Sequence, residues 1–255
     1  MAYFIEGPLA DELGLYWAGK TDKEGKKHKK AQQPILTIEN YVRMQMQHWT
    51  RDGYQYRNEG NRVDNTNLLN NHCFTSARLS EVCQAVYDDL ECILSWSGGE
   101  PEFRIKFKRE ECKGKDEKQP EHPFGEQIVG PDGVPPPLFA QPMLHWLANI
   151  ISSRVFADYQ TVEQALAARP PKNSGSYRVV PWAKAKENEP VFPKWTANGR
   201  GKKPRTPTSW ANQAYDWARR ANFVTQVFGM YAPRRAQLIN VNNKYSLGEV
   251  LRFAS

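Results

Sequence analysis

Residues 177–235 read YRVVPWAKAKENEPVFPKWTANGRGKKPRTPTSWANQAYDWARRANFVTQVFGMYAPRR, and the reading of this stretch decides how the rest of the chain is organised. Up to Thr208, basic, aromatic and proline residues follow one another without a regular period. Arg178, Lys184, Lys186, Lys194, Arg200, Lys202, Lys203 and Arg205 carry the charge, with Trp182, Phe192 and Trp195 set between them. Prolines stand at 170, 171, 181, 190, 193, 204 and 207. An aperiodic segment of this length is unusual inside a compact domain. Its tryptophans would expose large apolar rings unless they pack on something. The expectation is an extended basic arm over 170–208 that orders on contact, followed by an anchor over 209–255 that packs on the body. In that anchor Ser209 caps a helix whose stripe is Trp210, Ala214, Trp217, Ala218, Ala221, Val224 and Phe228, with Gly229 as its stop.

The arm also holds the charge. Residues 176–255 contain 14 Lys and Arg against 4 Asp and Glu, a net +10, whereas residues 1–175 contain 21 against 24, a net −3; together they give the +7 of the whole chain. Cations concentrated in one third of a chain raise the local concentration of a polyanion and speed encounter with it. Hydrophobic residues at 40% and charged residues at 25% of 255 positions fit an ordinary folded protein large enough for one substantial core.

Towards the amino terminus, residues 1–169 read as a mainly helical body. Leu9, Leu13 and Trp17 are spaced for a short helix, and the lysine-rich run over 20–33, with Lys26, Lys27, Lys29 and Lys30, reads as an exposed loop. Thr37 caps a helix with Ile38, Tyr41, Val42, Gln45 and Trp49 on its core face. The Asn-rich residues 54–72 read as a surface loop. From Ser76, the residues Leu79, Val82, Cys83, Val86, Leu90, Ile93 and Leu94 form an apolar stripe, which predicts a long helix closed by Ser97-Gly98-Gly99.

Residues 101–140 read as a small β element. Phe103, Ile105 and Phe107 alternate with Arg104, Lys106 and Lys108, which gives a strand with a basic face; Tyr177 to Pro181 is the candidate partner strand. Pro142 opens a helix striped by Leu144, Leu147, Ala148, Ile151 and Val155, and Thr161 with Gln164 forms a capping box for a short helix stopped by Pro170. The fold class expected is α+β, mainly helical, with a small β element and a long Pro/Trp-rich arm.

Cys73, Cys83, Cys92 and Cys112 form no CxxC pair and read as reduced, mostly buried thiols. No stretch approaches the ~20 apolar residues of a membrane helix, and the first residues lack the pattern of a signal peptide. The setting expected is cytoplasmic, nuclear or the interior of a virion. Cys112 and His122 lack the second pair that a structural zinc needs, so no metal and no cofactor is expected.

These patterns point to a non-enzymatic nucleic-acid-binding subunit of a larger assembly. Its contacts with the phosphate backbone are expected from Lys26, Lys27, Lys29, Lys30, Arg104, Lys106, Lys108, Lys194, Arg200, Lys202, Lys203, Arg205, Arg219, Arg220, Arg234 and Arg235, with Trp195 available for stacking. A single strand is the favoured partner, beside other protein subunits or copies of the same chain. No finger, zipper or RNP motif supports readout by a standard module. Two other classes fit less well: a self-assembling coat protein whose arm docks on neighbours, and a metal-dependent nuclease using Asp88 or Glu91.

Overall fold

Thr37 is the N-cap of the first described helix, its hydroxyl accepting from the Asn40 N–H at 3.3 Å. In this computed structural model the described residues are 36–75, 77–97, 100–107, 122–124, 137–169, 177–223 and 232–236. The chain divides into two units, Met1–Gln33 and Pro34–Ser255, and all described residues belong to the second. The predicted loop with Lys26, Lys27, Lys29 and Lys30, and Lys108, lie outside them, as do Val224 and Phe228 of the predicted last helix.

Helix α1 (Ile38–Met46) continues into one π-helical turn, Gln47–Arg51, where the Thr50 hydroxyl donates back to the Met46 carbonyl at 2.6 Å. Its inner face is Tyr41, Met44, Gln45 and His48, while Ile38 and Val42 of the predicted core stripe are exposed. Helix α2 (Gly60–Thr75) occupies most of the stretch expected to be a surface loop, and ten of its sixteen residues are buried, eight of them polar. The correction has a local cause and a tertiary one. Asn58 accepts from the Gly60 N–H at 2.9 Å to start the helix, and partners from four other segments then meet its polar groups. Among these, Tyr41 donates to Asn70 at 2.8 Å and Trp49 Nε1 donates to Thr66 at 3.0 Å.

The long helix predicted from Ser76 is replaced by three elements. Helix α3 (Leu79–Gln84) is a turn and a half, a 3-10 turn spans Tyr87–Asp89, and strand β1 runs over Leu90–Ser97. Strand β2 (Glu100–Phe107) returns antiparallel with Ser97 opposite Glu100, so the second half of the predicted helix is a strand of a hairpin. Cys92, Leu94, Phe103, Ile105 and Phe107 are buried on one face of this hairpin.

Strand β3 (His122–Phe124) pairs with β2, and β4 (Tyr177–Val180) pairs with β1, giving a four-stranded sheet in the order β3-β2-β1-β4. Tyr177–Val180 therefore joins the predicted sheet, but beside β1 and not beside β2. Helix α4 (Pro142–Ser152) starts at Pro142 as expected, yet buries Met143, His145, Trp146, Asn149, Ile150 and Ile151 while Leu144 and Ala148 face outward. Helix α5 (Val162–Leu166) is capped by Thr161, which accepts from Gln164 N at 3.2 Å.

The last third departs from an extended arm. After β4, Trp182 stacks on Phe156 with ring centroids 5.4 Å apart and donates to the Leu90 carbonyl at 2.8 Å. Strands β5 (Pro193–Thr196) and β6 (Gly199–Pro204) then form a second antiparallel sheet. Helix α6 (Pro207–Arg220) is capped by Thr206 rather than Ser209, because Pro207 takes the first helical position, where its missing N–H costs nothing. Trp210, Ala214, Trp217, Ala218 and Ala221 are buried as predicted. Trp217 Nε1 donates to the Met44 carbonyl at 2.8 Å, so burial of this ring, worth roughly 4–6 kcal/mol before entropy, leaves its polar atom satisfied.

The fold is α+β. Cys73, Cys83 and Cys92 are free thiols, with burial pushing Cys83 up to about 12. No helix among the described residues is long and apolar enough to cross a membrane.

Candidate nucleic-acid interface

The β5–β6 hairpin sorts its charges by which way they point. Arg200, on its inward side, is a hub. Its Nη1 donates to Asn149 Oδ1 and to Ser153 Oγ, each at 3.1 Å. Its Nη2 donates to the Tyr87 hydroxyl and to the Val191 carbonyl, each at 3.0 Å, and also to the Pro190 carbonyl. The guanidinium lies 5.6 Å from the Tyr87 ring centroid. Arg205, only 3% exposed, donates to Gln213 Oε1 and sits 5.4 Å from the Trp210 ring centroid.

Beneath them lies Asp64 of α2, 0% exposed. It accepts from Trp195 Nε1 at 2.5 Å and from Asn149 Nδ2 at 2.8 Å. Burial pushes its carboxyl up to about 6, against the pull of those hydrogen bonds and of Arg200 and Arg205. The Trp195 ring approaches Gly60 so closely that a Cβ there would lie 2.1 Å from its Cη2. Asp64, Asn149, Arg200 and Trp195 thus lock the hairpin to α2 and α4.

What remains outside is Lys194, Lys202 and Lys203, all exposed on adjacent strands. None of the three makes an ion pair among the described residues. Long, unpaired, solvated ammonium groups on a rigid hairpin are suited to phosphate contacts.

No protein-family profile matches the sequence, and no curated protein matches it. Over 96% of its length the chain aligns with a chain of the XerH site-specific recombinase, crystallised with its difH substrate in a pre-cleavage complex, at 14% identity and a TM-score of 0.47. It spans 56% of that chain.

The other cations expected at an interface are dispersed over the fold. Arg104 is exposed on the outer face of β2 but is held by Glu102 at 2.9 Å, and Lys106 stands opposite Glu91 across the β1–β2 register. Arg104 and Lys106 of the predicted basic strand face therefore each stand beside a carboxylate. Arg219 is exposed with its guanidinium 5.9 Å from the Tyr215 ring centroid. Arg220 is bound by both oxygens of Asp52, at 2.9 and 3.0 Å. Arg234 and Arg235, in the short helical turn 232–236, are half-buried, and Arg234 lies close enough to His72 to depress its titration.

Asp64, Asn149 and Tyr87, which fix the hairpin, were not among the expected site residues. Their signal is a carboxylate, an amide and a phenol scattered over the sequence, visible as a set only when folded. Of the carboxylates considered for a metal, Asp88 is exposed and Glu91 stands opposite Lys106, while the adjoining Asp89 accepts from Val86 N at 2.8 Å. Among the described residues no three His, Cys, Asp or Glu side chains gather as metal ligands.

Proposed function

We propose that this chain is a nucleic-acid-binding subunit of a larger assembly, without a catalytic site of its own, and that Lys194, Lys202 and Lys203 contact the phosphate backbone of a strand that is preferably single. The observation that carries this reading is the division of labour in the hairpin. Its inward arginines are consumed in holding it to the body, whereas its outward lysines make no ion pair among the described residues.

The test is salt-dependent binding of a fluorescent single strand and a duplex by the native protein and by Lys194→Ala/Lys202→Ala/Lys203→Ala. Each lost phosphate contact removes roughly 0.7–0.9 from the log–log salt slope, so the variant should flatten it by about 2–3 units. An unchanged slope sinks the assignment of these lysines.

A second reading, self-assembly into a structural particle, is favoured by the row Ile38, Val42 and Met46 on α1, which are 68%, 37% and 40% exposed one turn apart. If neither strand binds and nuclease-treated protein still scatters light as large particles, this second reading takes first place.

A further inference from the structure

A second constellation of arginine and tyrosine lies where the π-helical turn meets the end of α6. Its base is His48, 0% exposed. His48 Nε2–H donates to the Arg62 carbonyl at 3.0 Å, which leaves Nδ1 to accept from the Tyr56 hydroxyl at 3.3 Å. Burial holds this imidazole down to about 4, so it is neutral near pH 7. The neighbouring Asp52 carboxylate, also fully buried in its side chain, is therefore left to Arg220 alone as a charged partner.

The two oxygens of Asp52 fix the Arg220 guanidinium in a fork, and Asp52 also accepts from the Tyr54 N–H at 3.2 Å. Both ends of the next contact are thereby pinned. The Arg220 guanidinium sits 4.5 Å from the Tyr54 ring centroid, and Tyr56 meets Tyr54 edge-on at 4.7 Å. Tyr54 is nonetheless 49% exposed. Arg51, Arg57 and Arg219, the neighbours along the chain on either side of this contact, are exposed too.

An exposed aromatic ring on an irregular segment normally samples several rotamers, and holding one costs entropy. Here an ion pair anchored on a buried carboxylate, a backbone hydrogen bond and a second ring all act on one solvent-facing tyrosine. A half-exposed ring backed by a cation is a platform for another flat π-system. A nucleobase stacked on it brings a phosphate within reach of the surrounding arginines, and the preorganised ring binds it without a further ordering cost.

We infer that Tyr54, backed by Arg220 and Asp52, is a stacking site for an unpaired nucleobase. This rests on the nucleic-acid reading above and deepens it, since a base platform is what makes a single strand the better partner. A duplex keeps its bases stacked on each other.

The probes are a fluorescent oligothymidylate and an abasic strand of the same length and charge. The native protein should bind the base-bearing strand more tightly, and Tyr54→Leu should lose at least about fivefold on that strand while leaving the abasic strand unchanged. Leucine keeps enough bulk to cover the Asp52–Arg220 pair but offers no π face. Tyr54→Phe should bind like the native protein, and near-UV circular dichroism of both variants checks that the fold is kept. The triple lysine variant should weaken both strands alike and preserve the preference. If Tyr54→Leu retains the preference, or the native protein has none, the platform is wrong while the lysine assignment stands. Failure of the native protein to bind either strand overturns both.

Discussion

Gly60 shows how one missing methyl group determines where a neighbour sits. Trp195 occupies the space a side chain would take, with its Cη2 and Cζ2 at 2.1 and 2.3 Å from the position of a Cβ. Alanine is the better helix former, so propensity alone predicts that Gly60→Ala stabilises the start of α2. The contact predicts the opposite. Overpacking should cost about 1–3 kcal/mol and push the indole off Asp64, seen as a lower urea midpoint and an altered near-UV spectrum. A rise in the midpoint would mean that the ring does not rest there. The sequence marks Trp195 as a ring that must pack, but not what it packs on. Asp64 and Gly60 are distant in the chain and belong to a stretch whose composition resembles a loop.

Among the elements, the hairpin depends on Arg200 more than on its own short ladder. Lysine in that place keeps the charge but has no planar fork to reach Asn149, Ser153, Tyr87 and two carbonyls together. Arg200→Lys should therefore cost about 2–4 kcal/mol and speed tryptic cleavage after Lys194 and Lys202, because the loosened hairpin presents them as an extended chain. Cleavage at the native rate would show that the hairpin is held by something else. The same scale explains which elements were legible. Thr37, Pro142 and Thr161 mark helix starts by chemistry that acts within four residues, and the structure keeps all three. The stripe from Leu79 to Leu94 misled because apolar residues at helical spacing also fit a short helix followed by a strand buried on one face. The alternation from Phe103 to Phe107 was the better guide, since a strand there needs an antiparallel partner close by. For α2, polarity argued against burial, and only partners from elsewhere in the fold reverse that argument. Outward lysines and inward arginines alternate along one basic stretch, so charge counting alone could not separate contact residues from structural ones.

For the molecule as a whole, the buried histidines set the acid limit. His48 and His72 are both held near 4 by burial, and neither ring nitrogen of His72 has a hydrogen-bond partner among the described residues. The unfolded chain takes up these protons near 6.5, so stability is fully present above that pH and is lost as pH falls towards 4. Asp64 acts in the other direction, gaining stability as pH falls from about 6 towards 3.8, but it is one group against two. The net expectation is a loss of stability below pH 6.5. His72→Leu should remove roughly 2 kcal/mol of the loss between pH 7 and 5, read from urea midpoints at the two values. An unaltered pH dependence would mean that His72 is not buried as a neutral ring. The bonds that close the body also join parts of the chain made far apart in time. Trp217 reaches Met44 across 173 positions, Trp195 reaches Asp64 across 131, and Arg200 reaches Tyr87 across 113. Trp195 and Trp217 must therefore be made before Asp64 and the Met44 carbonyl are fully partnered. Tyr41, Trp49 and Asn149 meet this helix from earlier parts of the chain, but Asp64 keeps one partner that is made last, and contacts so far apart in sequence slow the closing of a fold.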